Sequence, residues 1–336
     1  MPGASSAAGH LTVRKALART ASRTGDWRFF SWYWGDAIAI DGLLAASASL
    51  GDGRPRDLAA EALDRWASRC PPGLDDALAP GAAIASLVGD GTLSPAAAGR
   101  FLEAVERLPV VAGRVPALEP HRPAYRFGVC IDALYHLPTG LAAIGRLRGS
   151  ADLSRRAVAM ASGILDLVRC PDGWAQWYDA ARRRNNGIAW TRGIGWALLG
   201  CLDTIALASG QCPVAGLRDA AAEMIEALAG SQQDDGHWPV VLGHDGAPSE
   251  TSTAAFFTAA ALHPEAPPGA WAGAVGRSMR ACLAAVDEEG TYRGVSADVL
   301  PSWALGDYLS VAVEPSPWGQ GSALRALAAA ADRWPG

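Results

Sequence analysis

Helix-length segments recur from one end of this chain to the other, and almost nothing in it reads as a strand. Twelve stretches carry Ala, Leu, Arg and Glu at helical periodicity: 10–23, 34–50, 57–70, 79–89, 94–108, 129–148, 152–169, 192–209, 214–231, 250–262, 269–285 and 317–333. Breakers separate them, among them Gly51-Asp52-Gly53, Cys70-Pro71-Pro72-Gly73 and Gly89-Asp90-Gly91. Ser94 before Pro95 combines an N-cap with a first-turn proline.

Short and long connections alternate between these segments, so they group into six helical hairpins. Some segments, such as Ile194 to Leu202, are apolar or small all round, as a helix enclosed on every side must be. The segment 57–70 carries Asp57, Glu61, Asp64, Arg65 and Arg69 and reads as an outer, solvated helix. The expected fold is all-α, a closed (α/α)6 barrel formed as a single domain over 1–336, with residues 1–9 a disordered tail. The lack of a strict repeat disfavours an open solenoid. Four long non-helical stretches, 109–128, 170–191, 232–249 and 286–316, are rich in Trp, Tyr, His, Asp and Arg, whereas the short turns are mostly Gly and Ala. That asymmetry places a binding site at the long-loop end.

Half of the 336 residues are hydrophobic, and acids and bases are mixed along the chain to a formal charge of -5. No basic run suits nucleic acid, and no uncharged apolar stretch is long enough to span a membrane. The start lacks an export signal, and the six cysteines lie far apart. The chain therefore reads as a reduced, cytoplasmic protein, a monomer or homodimer, without a metal site or cofactor. Nucleophile elbow, phosphate loop and dinucleotide fingerprint are all missing.

The residues that can carry chemistry cluster in loop-to-helix junctions. Asp132 opens the apolar helix that continues through Leu134, Leu137 and Leu141. The helix dipole favours its anion, an apolar pocket its protonated form suited to proton donation, and plain N-capping is the structural alternative. Asp76, in Asp75-Asp76-Ala77-Leu78-Ala79-Pro80-Gly81, is a second candidate carboxylate or a turn residue. Trp190-Thr191-Arg192-Gly193-Ile194-Gly195-Trp196 joins aromatic faces to a guanidinium that can fork onto a carboxylate. Gln176, Trp177, His136 and Trp34 complete the candidate substrate-binding set, and Glu250-Thr251-Ser252 forms a third patch. Gln232, Gly236 and Trp238 read as a structural tie between loop and helix end, Arg182-Arg183-Arg184 as a solvated face.

Taken in order, these motifs resemble those of the unsaturated glucuronyl and rhamnogalacturonyl hydrolases, glycoside hydrolase families 88 and 105. Asp76 to Gly81 is similar to that family's Asp-Asn-x-x-Pro-Gly turn, and Ile131-Asp132-Ala133-Leu134-Tyr135 to its Trp-x-Asp-x-Leu segment. Trp190 to Trp196 resembles Trp-Ala-Arg-Gly-Asn-Gly-Trp, Glu250-Thr251-Ser252 resembles Glu-Thr-Ser, and Pro317 to Gly321 its glycine-rich entry to the final helix. The resemblance implies an (α/α)6 barrel without cofactor that hydrates a 4,5-unsaturated uronic acid. In that chemistry an aspartic acid protonates C4 of a vinyl ether, water adds at C5, and the hemiketal opens to release the next sugar. Carried over, Asp132 is the acid/base and Asp76 its supporting carboxylate. Arg192 or a nearby donor meets the substrate carboxylate, and Trp190 and Trp196 line the ring site. Two positions depart from the pattern: Gln176 stands where the family usually has His, and Ile194 replaces the Asn. These departures keep open a diverged barrel enzyme acting on a glycoside or enol ether in small-molecule biosynthesis, or a non-catalytic carbohydrate binder.

Overall fold

The computed structural model describes residues 12–29, 34–69, 80–113, 115–117, 126–171, 173–244, 246–269 and 271–334. Asp76 and the tail 1–9 lie outside the described residues, as does the side chain of Trp34.

The twelve expected helices are present as α1 (Val13–Gly25), α2 (Trp34–Leu50), α3 (Arg54–Arg69), α4 (Gly81–Gly89), α5 (Pro95–Arg107), α6 (Ala133–Arg148), α7 (Ala151–Val168), α8 (Thr191–Ala208), α9 (Ala215–Gly230), α10 (Ser252–Ala261), α11 (Ala272–Ala285) and, after a one-turn helix α12 (Leu305–Leu309), α13 (Pro317–Ala330). Helices α2, α4, α6, α8, α10 and α13 pack each on the next and α13 returns to α2, which closes an inner ring; α1, α3, α5, α7, α9 and α11 lie outside it. This is the six-hairpin barrel.

Local sequence explains which helices go where. In α7 the buried residues fall at Leu153, Ser154, Ala157, Met160, Ala161, Ile164, Leu165 and Val168, one stripe of an amphipathic helix. In α6 every residue from Ala133 to Gly145 is buried, and in α10 every residue from Ser252 to Ala260. Side-chain caps start α1, α5, α7 and α13: Thr12, Ser94, Ser150 and Ser316 each accept a backbone N–H of their own first turn.

Glycines set the closeness of the ring. A Cβ on Gly200 would stand 2.5 Å from the carbonyl oxygen of Leu134, so α6 and α8 touch backbone to backbone. That carbonyl lacks its usual helical donor because Pro138 has no N–H; the Thr139 hydroxyl lies 3.5 Å from it instead. Gly321 serves the α2–α13 seam in the same way, its Cβ position lying 2.5 Å from Ala39 N.

Every inner helix follows an outer one, so all six inner helices run in one direction. Their N-termini, and the long connections before them, gather at one end. Those connections hold short strands, most of them in the stretches expected as loop, while β3, β4 and β9 take over the ends of the expected helices 129–148, 152–169 and 250–262: β1 (Val110–Ala112), β2 (Val115–Pro116), β3 (Gly128–Cys130), β4 (Arg169–Cys170), β5 (Gly173–Trp174), β6 (Trp177–Asp179), β7 (Arg184–Asn185), β8 (Trp238–Pro239) and β9 (Ser249–Glu250). Strands of two or three residues are too short to show an alternating pattern. The largest group is the antiparallel sheet β3-β6-β7, in which Gly128 pairs with Asp179 and Cys130 with Trp177.

Inside the ring lies an ionic network. Arg325 of α13 donates to both oxygens of Asp203 on α8, at 2.9 and 3.1 Å, and to Tyr135 Oη at 3.0 Å. Tyr135 in turn donates to Asp41 of α2 at 2.7 Å, and His263 stands 3.3 Å from Asp203. Burial raises the carboxyl of Asp203, but Arg325 outweighs it and holds the pKa down at about 2. Asp41 lacks so close a cation, and burial pushes it up to about 6. Among the described residues no helix is long and apolar enough to cross a membrane.

Candidate active site

Strand β3 delivers Asp132 to the head of α6, at the end where the inner-helix N-termini converge. Asp132 stands at the N-cap position with helical angles, and its side chain makes no cap hydrogen bond to its own helix. The residue is half-buried, with Oδ1 enclosed. One turn along the same face comes His136. It is 3 % exposed and held neutral, because burial pulls its pKa down to about 3. Its ring lies 5.3 Å from both Tyr135 and Trp196, and Trp196 lies 4.7 Å from Phe256. These rings form an aromatic layer across the barrel beneath Asp132, with the ionic network of Asp41, Asp203 and Arg325 below it.

Arg192 occupies a different place from the one expected. It is buried, between the rings of Trp190 at 4.6 Å and Trp318 at 5.4 Å. One terminal nitrogen donates to the carbonyl and hydroxyl of Ser296 and lies 3.4 Å from Glu250; the other donates to the carbonyl of Ala297 at 2.8 Å. Burial lowers its pKa, while Glu250, Asp298 and Asp132, in that order, favour its charge. The fork expected for a substrate carboxylate therefore grips the stretch 296–297. Trp190 becomes one wall of that grip.

Glu250 is likewise enclosed. It accepts from the Ser252 and Thr253 hydroxyls at 2.6 and 2.9 Å, from Thr253 N at 2.8 Å and from Ser296 N at 3.2 Å. It thus ties the head of α10 to α8 and to the connection 286–316. Gln176 is also corrected. It is 2 % exposed, its amide donates to Val299 O at 2.9 Å, and its oxygen accepts from the hydroxyl of Tyr308. Both ends are satisfied by the same connection. Trp177, its neighbour on β6, is buried with its ring 5.9 Å from that of Trp303.

Arg192, Glu250 and Gln176 together pin residues 296–299 over the site. This pinning brings up Asp298, an exposed carboxylate that sequence reasoning missed because no motif surrounds it. The Gln232–Trp238 tie is structural, as expected: Gln232 donates to Gly236 O and Ala274 O, and Trp238 Nε1 to Leu228 O at the end of α9.

Comparison with known proteins bears on this arrangement. Residues 172–333, which include Arg192, Glu250 and the pinned connection, match the profile of Glycosyl Hydrolase Family 88. This stretch of the chain is thus similar to the family 88 glycoside hydrolases. Solved structures agree in fold across nearly the whole chain. A possible family 105 member from Salmonella enterica serovar Paratyphi A superposes with a TM-score of 0.84 at 17% identity, covering 94% of this chain and 93% of that one. A family 105 glycoside hydrolase from C. acetobutylicum gives 0.81 at 15% identity, covering 95% and 99%. The unsaturated glucuronyl hydrolase of Bacillus sp. GL1, described as responsible for glycosaminoglycan degradation, gives 0.73 at 16% identity, covering 96% and 97%. No curated protein matches the sequence directly. At these identities the structural likeness carries the fold, a ring of six helical hairpins, and not the substrate.

Proposed function

We propose that this glycoside hydrolase hydrates a 4,5-unsaturated uronic acid at the end of an oligosaccharide, with Asp132 as the acid and base. The observation that carries the reading is the placement of Asp132. Its carboxyl is turned away from capping duty and stands half-buried over a neutral aromatic layer, where the inner-helix N-termini meet. Six helix N-termini at one rim favour an anionic ligand, and the aromatic faces suit a sugar ring.

In this reading Asp132 delivers its proton to C4 of the vinyl ether. Its carboxylate then takes a proton from the water that adds at C5, and the hemiketal opens to free the leaving sugar. His136 supplies an uncharged floor, because it stays neutral at the pH of the reaction. Arg192, gripping residues 296–297, acts as a positioning residue for the rim. Asp76 keeps its proposed supporting part on the strength of the motif resemblance, and Trp34 its proposed place in the substrate set.

Incubation with unsaturated disaccharides should remove the ultraviolet absorbance of the conjugated uronide. Asp132→Asn should abolish that loss while the circular dichroism spectrum is kept. Turnover undiminished in Asp132→Asn, or sugar binding without turnover of any unsaturated uronide, would overturn the proposal.

A further inference from the structure

Asparagine occurs only twice in the 336 residues, at Asn185 and Asn186, and Gly187 follows. Asparagine is a thermolabile residue, and it is most labile before glycine, which has no Cβ to shield its backbone nitrogen from the preceding side chain. Here the amides have a definite use. Asn185 Nδ2 donates to Leu167 O and Arg169 O, at 3.3 and 2.7 Å, and ties β7 to the end of α7. Asn186 Nδ2 donates to Ser302 O at 2.8 Å and to Tyr308 Oη at 2.9 Å. Tyr308 gives its own proton to the Gln176 side-chain oxygen. Asn186 is therefore the donor that fastens residues 302–308, α12 included, to the chain leading into α8.

The same residue is arranged to lose that amide. Its Oδ1 accepts from Ile188 N at 3.3 Å, which curls the side chain forward over Gly187. Gly187 has φ +69°, is exposed, and lines a cavity of about 410 Å³ shared with Val241, His244 and Leu305. Among the described residues its N–H donates to no acceptor. Nothing holds that nitrogen away from the Asn186 side-chain carbon, and water reaches both.

We propose that Asn186-Gly187 is a self-modification site, at which deamidation unlatches residues 302–308. The Gly187 nitrogen gives its proton to solvent hydroxide and bonds to Cγ of Asn186. The Cγ–Nδ2 bond breaks, and ammonia leaves with a proton from water. Water then opens the cyclic imide at either carbonyl, which yields aspartate or isoaspartate. A carboxylate has no donor, so it meets the Ser302 carbonyl acceptor to acceptor, and the single Tyr308 proton serves either it or Gln176. Isoaspartate also lengthens the backbone just before Ile188, whose carbonyl accepts from Gln176 N at 2.8 Å. While residues 302–308 are docked, both amide hydrogens are engaged and attack is slow. Each undocking exposes the pair, so the modification records time spent open.

The test ages the purified chain in warm alkaline buffer. Peptide mass spectrometry reads the conversion of amide to acid, and limited proteolysis reads the release of residues 300–308. Asn186 should convert at least about tenfold faster than Asn185, which precedes a residue with a Cβ. Cleavage within 300–308 should rise in step with that conversion. Tyr308→Phe removes one acceptor of the amide and should speed conversion about twofold or more. Gly187→Ala has open space for its Cβ though a strained φ, and should slow conversion about tenfold. Asn186→Asp should be cleaved within 300–308 from the outset, with its circular dichroism spectrum kept. Conversion of Asn186 no faster than that of Asn185, or conversion without added cleavage, would overturn the proposal. Neither readout depends on uronide turnover, so this inference and the hydration reading stand or fall separately.

Discussion

Asp41→Asn should stabilise this protein at neutral and alkaline pH and do nothing at acid pH. Asp41 accepts a hydrogen bond from Tyr135 inside the barrel, and burial pushes its pKa up from 3.8 to about 6 against the pull of Arg325. An acid with a higher pKa folded than unfolded binds its proton more tightly in the folded state. The stability it confers is full below about pH 4 and is lost as pH rises through about 6. The gap is about two pH units, at about 1.4 kcal/mol each, which makes ionised Asp41 a cost of about 3 kcal/mol above pH 7. Asparagine keeps a carbonyl for the Tyr135 hydroxyl and removes the charge; the loss of one carboxylate near Arg325 is tempered by Asp203, which stays. A gain of about 1–3 kcal/mol at pH 8, vanishing at pH 4, is therefore expected. Urea unfolding of parent and variant at both pH values reads it as a shift in midpoint at constant m. An equal difference at the two pH values, or a loss of stability at pH 8, would refute the reasoning.

Other consequences are equally direct. Arg192→Met leaves Glu250 buried without its cation, which should cost about 3–5 kcal/mol in thermal or urea unfolding and open residues 296–299 to limited proteolysis. Arg192→Lys should rescue little, since an ammonium cannot reach both Ser296 and Ala297. His136 should remain neutral down to about pH 4 by nitrogen-15 NMR, its pKa of about 3 making stability fall as pH drops below 6.5; a titration near pH 6.5 would contradict its enclosure. Gly200→Ala should lower stability by about 1–3 kcal/mol or more, because its Cβ meets backbone of α6, whereas Gly216→Ala on α9, with open space around it, should not.

Much of the fold is legible in the sequence because each helix announces its neighbours. Enclosure leaves α6, α8 and α10 without a polar face, and one-sided packing leaves α7 a single stripe. The one-turn α12 and the paired strands escaped because each is shorter than the period that would reveal it. Placement at the candidate site was legible where it is local to one helix: Asp132 and His136 share a face by their spacing alone. It was misread wherever a polar side chain found its partner far along the chain. Arg192 meets Ser296 across 104 positions and Gln176 meets Val299 across 123. A guanidinium beside tryptophans looks the same in sequence whether it greets a ligand or fastens a loop.

The ionic network of Arg325 makes the last helix a keystone. Asp41 and Asp203 come from helices made long before α13, and until Arg325 arrives they face a greasy tunnel with no guanidinium to answer them. A nascent chain lacking α13 would leave Asp203 with only His263 beside it, which disfavours a half-built arc. The barrel has reason to lock only when its final stave drops in, and shortened products should be left for proteases to clear.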